Sequence, residues 1–178
     1  MPIVQVRMIK AMISRKKYPL VLIVDFHCLL DAETYNILLR KKKAYMLLSG
    51  SALCNMPADP QQCRSEWFRV CRDVSVECGC PVASYCGMTP DMVAKYASDF
   101  SKVVTICLVG DDETLDKKLI GEVGSPETRE KLKTHAVWFR KNELPGYREA
   151  FVLDVSGMSS LEEADALDRL ICEKLRSI

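Results

Sequence analysis

The stretch Ser101–Lys118, SKVVTICLVGDDETLDKK, indicates how this chain folds. Its residues Val103–Val109 are apolar or β-branched almost without interruption, which is typical of a central strand in a parallel sheet, because such a strand is covered on both faces. Gly110 ends the run, and the acidic residues after it are typical of the first turn of a helix. The stretch therefore predicts a buried strand followed by a helix that extends to about Ile120.

Four similar runs occur elsewhere in the 178 residues, and longer stretches with helical spacing of apolar residues separate them. This alternation is the signature of strand–helix–strand units, which form parallel sheets. The predicted strands are Pro19–Phe26, Ala44–Ser49, Pro81–Cys86, Val103–Val109 and Ala150–Val155. We therefore predict an α/β fold with a doubly wound, mainly parallel five-stranded sheet and helices on both faces.

Local signals predict where two of the helices begin. Asp31 has a side chain suited to an N-cap, so we expect it to start a helix from about Ala32 to Lys43. Ser159 or Ser160 is expected to cap the last helix in the same way. The apolar positions of that helix, which we expect to pack in the core, are Leu161, Ala164, Leu167, Leu170, Ile171 and Leu175.

Length and charge limit the class of protein. A chain of 178 residues suits one domain, so we expect a single α/β domain over residues 1–178, with residues 1–17 as a basic N-terminal extension. The 25 Lys and Arg residues nearly balance the 24 Asp and Glu residues, so no overall field would attract nucleic acid. No apolar run approaches the roughly 20 residues that span a bilayer. Neither a nucleic acid nor a membrane is an expected partner.

Cysteine content and the basic N-terminus bear on the compartment. Nine cysteines at irregular spacing, without a secretory leader, are typical of reduced thiols inside the cell. We therefore expect a cytoplasmic protein. Five basic residues precede the first acid, Asp25, which is also typical of a mitochondrial presequence, and mitochondrial import is the alternative.

The cysteine spacing predicts no metal site. Cys78-Gly79-Cys80 lacks the two-residue spacer and the second pair of a zinc knuckle, so we expect small buried side chains there. Cys63 has an electropositive neighbour, Arg64, and is the alternative to consider as a nucleophile.

Three polar residues lie at the carboxyl end of the first predicted strand or just after it, where open α/β sheets place their ligands. Asp25, His27 and Asp31 have the chemistry for general acid–base catalysis, or for holding Mg²⁺ on a phosphate. A hydrolase or transferase that works without a nucleotide would use the same three residues. The structural alternative is that Asp31 caps the next helix and His27 lies in a loop.

The segment Leu29–Lys41, LLDAETYNILLRK, resembles the animal-type phosphomevalonate kinases, whose corresponding helix has leucines, an aspartate, Thr-Tyr and Arg-Lys at this spacing. Ala58-Asp59-Pro60 with Cys63-Arg64 looks like the next acceptor-side segment of that family. The later layout is similar to the wider nucleoside-monophosphate-kinase-like group. The resemblance implies a small-molecule kinase that uses ATP and Mg²⁺ and binds a small phosphorylated molecule. It makes Arg40 and Arg64 contacts of the acceptor phosphate.

Two departures from that family concern the transfer chemistry. No glycine-rich phosphate loop with a lysine precedes Leu29, and Cys86–Pro90 replaces the arginine pair expected after the third strand. Phosphoryl transfer depends on positioning and charge neutralisation. The sequence therefore predicts a phosphate- or nucleotide-binding kinase-like protein with degraded transfer activity. The alternative is a non-catalytic α/β module that binds a protein partner.

Overall fold

The computed structural model describes residues 16–25, 29–41, 44–50, 59–85, 90–122, 125–127, 130–131, 133–134 and 150–178. The strands in these ranges are β1 (Leu20–Val24), β2 (Met46–Ser49), β3 (Val82–Tyr85), β4 (Val103–Val109) and β5 (Phe151–Asp154). The helices with described bounds are α1 (Ala32–Arg40), α2 (Pro60–Cys78), α3 (Pro90–Tyr96), α4 (Asp112–Glu122) and α5 (Ser160–Arg176). No helix in this part of the chain is long and apolar enough to cross a bilayer.

The five strands form one parallel sheet in the order β2-β3-β1-β4-β5. The central strand is β1, whose Leu20 is in register with Val82 of β3 on one side and Val103 of β4 on the other. The predicted fold class and the five predicted strands are confirmed, and the bounds of β4 agree to the residue. The other four strands are shorter than predicted, because the sheet pairing ends before the flanking loops. Phe26 and Cys86, the predicted ends of β1 and β3, lie outside the described residues.

Both faces of the sheet are covered, and the alternation of side chains along β1 shows how. Val21 and Ile23 belong to one apolar cluster, which includes buried residues of α1, α4 and α5. Leu20 and Leu22 point to the other face, where they join a second cluster with Phe68 of α2. All five residues of β1 are at most 1% exposed. The predicted placement of helices on both faces is therefore confirmed.

The final helix, α5, begins after the first of its two predicted caps. The Ser159 hydroxyl accepts the N–H of Glu162 at 3.4 Å, and the Glu162 carboxylate accepts the N–H of Ser159 at 2.9 Å, which makes a capping box. Leu161 was predicted to lie in the core, and this is wrong: it is 56% exposed, because Glu163 takes the buried position in the first turn. The predicted core positions that are fully buried are Ala164, Leu167 and Ile171.

The end of α2 also differs from the prediction. Cys78 is exposed and Cys80 is only partly buried, whereas both were expected to be buried. The reason is that α2 ends at Cys78 and Gly79 turns the chain with a φ of +66°, a left-handed conformation that favours glycine. The two thiols therefore lie at the amino edge of the sheet, just before β3 begins.

Candidate functional site

The loop between β1 and α1 lies at the carboxyl edge of the central strand, and Asp25 is its first residue. The Asp25 side chain is 8% exposed. Its Oδ2 accepts the backbone N–H of Leu30 at 2.8 Å and the hydroxyl of Tyr85 at 3.4 Å. The carboxylate therefore binds the loop backbone and the end of β3 at once. His27, the second predicted catalytic residue, lies outside the described residues.

Two leucines occupy the interior of this loop. Leu29 is 0% exposed and Leu30 is 4% exposed, and both belong to the apolar cluster under α1. Leu29 lies so close to Gly110, at the end of β4, that a β-carbon there would be 3.0 Å from a Leu29 methyl group. The described part of the loop is therefore filled by its own side chains.

Asp31 caps α1, as predicted. Its Oδ1 accepts the N–H of Thr34 at 2.7 Å, and its Oδ2 lies 3.2 Å from the ammonium of Lys118 on α4. Partial burial opposes ionisation of Asp31, but the Thr34 amide and the Lys118 charge outweigh it and hold the pKa of Asp31 below its ordinary value. The residue therefore carries its negative charge into an ion pair.

The same ammonium joins a second carboxylate. Lys118 contacts Glu163 of α5 and the backbone carbonyl of Leu29, as well as Asp31. Its side chain is only 10% exposed. We call Lys118, Asp31, Glu163 and Thr34 the Lys118 cluster. It ties the β1–α1 loop and the start of α1 to α4 and α5, which follow by more than 80 and more than 120 residues in the chain, respectively.

Glu163 is fully buried within the Lys118 cluster. Its Oε2 also accepts the Thr34 hydroxyl at 3.4 Å, whereas Oε1 has no hydrogen-bond partner among the described residues. Burial raises the pKa of Glu163, Lys118 opposes this effect, and the nearby charges of Asp31 and Asp25 raise the pKa further. Two carboxylates therefore share the Lys118 ammonium, and the charge of a third, Asp25, acts on Glu163. Within the described ranges, no group of three His, Cys, Asp or Glu side chains is arranged to hold a metal ion.

The two predicted phosphate-binding arginines lie in different places. Arg40 is the last residue of α1, a nine-residue helix about 13 Å long, so it is exposed at the end remote from Asp31. Arg64 is in the second turn of α2 and is partly buried. Because α2 ends just before β3 begins, its first turns lie toward the carboxyl edge of the sheet. The fold thus brings Asp25, Asp31 and Arg64 to one edge and leaves Arg40 at the other.

Sequence reasoning missed Lys118 and Glu163. Nothing near Lys118 in the sequence distinguishes it from Lys117, which is 70% exposed and pairs with Glu113 one turn away. The only signal for Glu163 is its spacing to the buried positions of α5, four residues before Leu167 and eight before Ile171.

A cleft of about 520 Å³ lies beside the site, along α5. This volume is within the range of small-molecule pockets. Its lining includes residues 156–158 in the turn before α5 and Lys41 after α1. Lys41 forms an ion pair with Asp165 across the cleft. The charged side chains that line it are Lys41, Glu162, Asp165, Asp168 and Arg169, three acids against two bases.

Comparison with known proteins identifies the fold. No protein-family model matches the sequence, and no curated protein matches it significantly. A tunicamycin resistance protein from Deinococcus radiodurans is 16% identical, with 87% of this chain and 96% of that chain covered and a TM-score of 0.60. A gluconokinase from Sinorhizobium meliloti is 16% identical, with 91% and 97% covered and a TM-score of 0.52.

A sugar kinase from Janibacter sp., solved without ligand, is 13% identical, with 90% of this chain and 98% of that chain covered and a TM-score of 0.53. At such identities the comparisons establish the architecture and not the activity. The chain has the α/β fold that these three proteins share, two of which are sugar or gluconate kinases by name.

Proposed function

We propose that this chain is a degenerate relative of the animal-type phosphomevalonate kinases that binds a small phosphorylated molecule but has lost efficient phosphoryl transfer from ATP. The observation that carries the proposal is the hydrogen bond from the Leu30 N–H to the Asp25 carboxylate. In kinases with a phosphate loop, backbone N–H groups between a strand and the following helix hold the phosphates of the nucleotide. Here the protein's own carboxylate takes one of these donors.

The charges at this edge also oppose a nucleotide triphosphate. A phosphate group at the β1–α1 loop would meet Asp25, Asp31 and Glu163, and the ammonium of Lys118 already pairs with the last two of them. Two like charges 4 Å apart near a protein surface repel by on the order of 4 kcal/mol. The described residues of this loop therefore do not fit Mg-ATP, and we derive no transfer step through it.

Arg64 supports the binding half of the proposal. It lies in the second turn of α2, toward the same edge as Asp25, and it is partly buried. A guanidinium group grips two phosphate oxygens at once, which makes arginine the usual residue for this purpose. Arg64 would therefore hold the phosphate of a small molecule such as phosphomevalonate.

Thermal melting tests both halves of the proposal. We expect millimolar Mg-ATP to leave the melting temperature unchanged and phosphomevalonate to raise it, since a ligand at 100 times its dissociation constant adds about 2.7 kcal/mol of stability. The second shift should disappear in Arg64→Ala. It should persist in Arg69→Ala, a matched change on the same helix at an exposed arginine that pairs with Glu66.

The other outcomes are equally informative. A shift with Mg-ATP, together with ADP formation, would contradict the loss of transfer. No shift with either ligand would favour a non-catalytic module that binds a protein partner. One observation favours that second candidate: β5 is an edge strand, and its Phe151 and Val152 are 39% and 56% exposed.

A further inference from the structure

We propose that Cys78 and Cys80 are a redox-active pair, which a small-molecule disulfide oxidises to an intramolecular Cys78–Cys80 disulfide. The pair lies at the end of α2, at the amino edge of the sheet. It is thus remote from Asp25 and Arg64, and the inference does not depend on the proposed function.

The backbone brings the two cysteines within bonding range. Residues two positions apart have Cα atoms separated by at most about 7 Å, and disulfides join Cα atoms about 4.4 to 6.8 Å apart. Gly79, between them, has a φ of +66° and is not extended, so the separation is below that maximum. Both thiols are free. Their proximity is also reflected in electrostatics, because the charge of Cys78 adds to burial in raising the pKa of Cys80.

The two sulfurs have different surroundings, so we expect them to react in different steps of the oxidation. Cys78 is exposed, so an external disulfide can reach it. Cys80 is partly buried and its backbone is held in place, because its N–H donates to the carbonyl of Ser75 at 3.2 Å. Cys78 is therefore the sulfur that reacts first, and Cys80 is the sulfur that resolves the intermediate.

With oxidised glutathione as the small-molecule disulfide, the chemistry is two thiol–disulfide exchanges. The Cys78 thiolate attacks one glutathione sulfur, forms a mixed disulfide and releases one glutathione thiolate. The Cys80 thiolate then attacks the sulfur of Cys78, forms the Cys78–Cys80 bond and releases the second glutathione thiolate. The protein loses two electrons and two protons, and the glutathione disulfide is reduced to two thiols.

Burial protects several other cysteines of the described part. Cys63, Cys71 and Cys107 are buried, and burial raises the pKa of Cys107 to about 12. A thiol that an external disulfide cannot reach exchanges slowly. We therefore expect these three to stay reduced under conditions that oxidise the Cys78–Cys80 pair.

The test is oxidation of the full chain in glutathione buffers of increasing disulfide content, followed by alkylation and peptide mapping by mass spectrometry. We expect a reversible bond between Cys78 and Cys80. Cys80→Ser should stop at a mixed disulfide on Cys78, and Cys63→Ser should change nothing. Below the pKa of Cys80, closure of the mixed disulfide should accelerate about tenfold per pH unit, as the thiolate fraction rises.

Three results would overturn the inference: a mixed disulfide on Cys78 that persists in the native chain, a bond from either cysteine to another one, or two thiols that remain unmodified. Mapping the native chain decides among these by itself. The result therefore does not depend on whether the Cys80→Ser variant folds.

Discussion

The Asp25 carboxylate accepts the backbone N–H of Leu30 at 2.8 Å, so the loop that follows the central strand closes on its own first side chain. This contact gives the loop N–H an anionic acceptor from the same chain. That acceptor is buried.

Removal of that acceptor should destabilise the protein. In Asp25→Ala the Leu30 N–H loses its buried partner, and we expect the free energy of unfolding to fall by about 1 to 3 kcal/mol. Asp25→Asn keeps an oxygen acceptor of the same size and should cost less. Urea unfolding of the two variants checks the order; equal losses would mean that the hydrogen bond to Leu30 is not what stabilises the loop.

Lys118 should matter far more than the adjacent lysine. Lys118→Met leaves Asp31 and Glu163 without their shared ammonium, and loss of one partner of a buried ion pair costs about 3 to 5 kcal/mol. Lys117→Met removes only an exposed pair with Glu113 and should leave the free energy of unfolding nearly unchanged.

A double variant shows whether the loss of stability in Lys118→Met comes from an unpaired charge or from packing. In Lys118→Met with Glu163→Leu, the buried carboxylate is removed along with its partner, so most of the lost stability should return. If the double variant is as unstable as Lys118→Met alone, the cost arises from packing and not from the unpaired Glu163.

The Lys118 cluster should also give a specific pH dependence. Since the pKa of Glu163 is raised above its ordinary value of 4.5, its contribution to stability is fully present below pH 4.5 and is lost as the pH rises through the folded-state pKa. Relative to Glu163→Gln, the native protein should therefore lose stability as the pH is raised from 4.5 toward neutrality. Urea unfolding at several pH values measures this difference.

Asp31 should change the stability with pH in the direction opposite to Glu163. Its folded-state pKa lies below the ordinary value of 3.8, so its contribution is present above pH 3.8 and is lost as the pH falls through the folded-state pKa. A difference between the native protein and Glu163→Gln that does not vary above pH 4.5 would contradict the assignment for Glu163.

The cap of α5 offers a matched pair of serines. Ser159→Ala removes the oxygen that accepts the Glu162 N–H and should lower stability by about 0.5 to 2 kcal/mol. Ser160→Ala removes only an exposed hydrogen bond to Glu33 and should cost a few tenths of a kcal/mol. Thermal melting measures both losses. If Ser160 were the cap, Ser160→Ala would lower the melting temperature more than Ser159→Ala.

Features that depend on neighbouring residues could be read from the sequence. The almost unbroken apolar run of β4 predicted its bounds, and Asp31 predicted the start of α1 because a cap and the N–H group that donates to it are only three residues apart. The Lys118–Glu163 contact could not be predicted, since 45 residues separate its partners and both look like ordinary surface charges. Arg40 is close to Asp31 in the sequence, but the length of α1 separates the two residues in space.

The central position of β1 has a kinetic consequence. Its residues are buried and paired on both sides, by β3 and by β4. Its amide hydrogens should therefore exchange with deuterium only when the whole sheet unfolds, whereas those of the edge strands β2 and β5 can exchange through local fraying. The slowest-exchanging segment of the protein would then be the one that leads directly into Asp25, which gives the closed loop a rigid base.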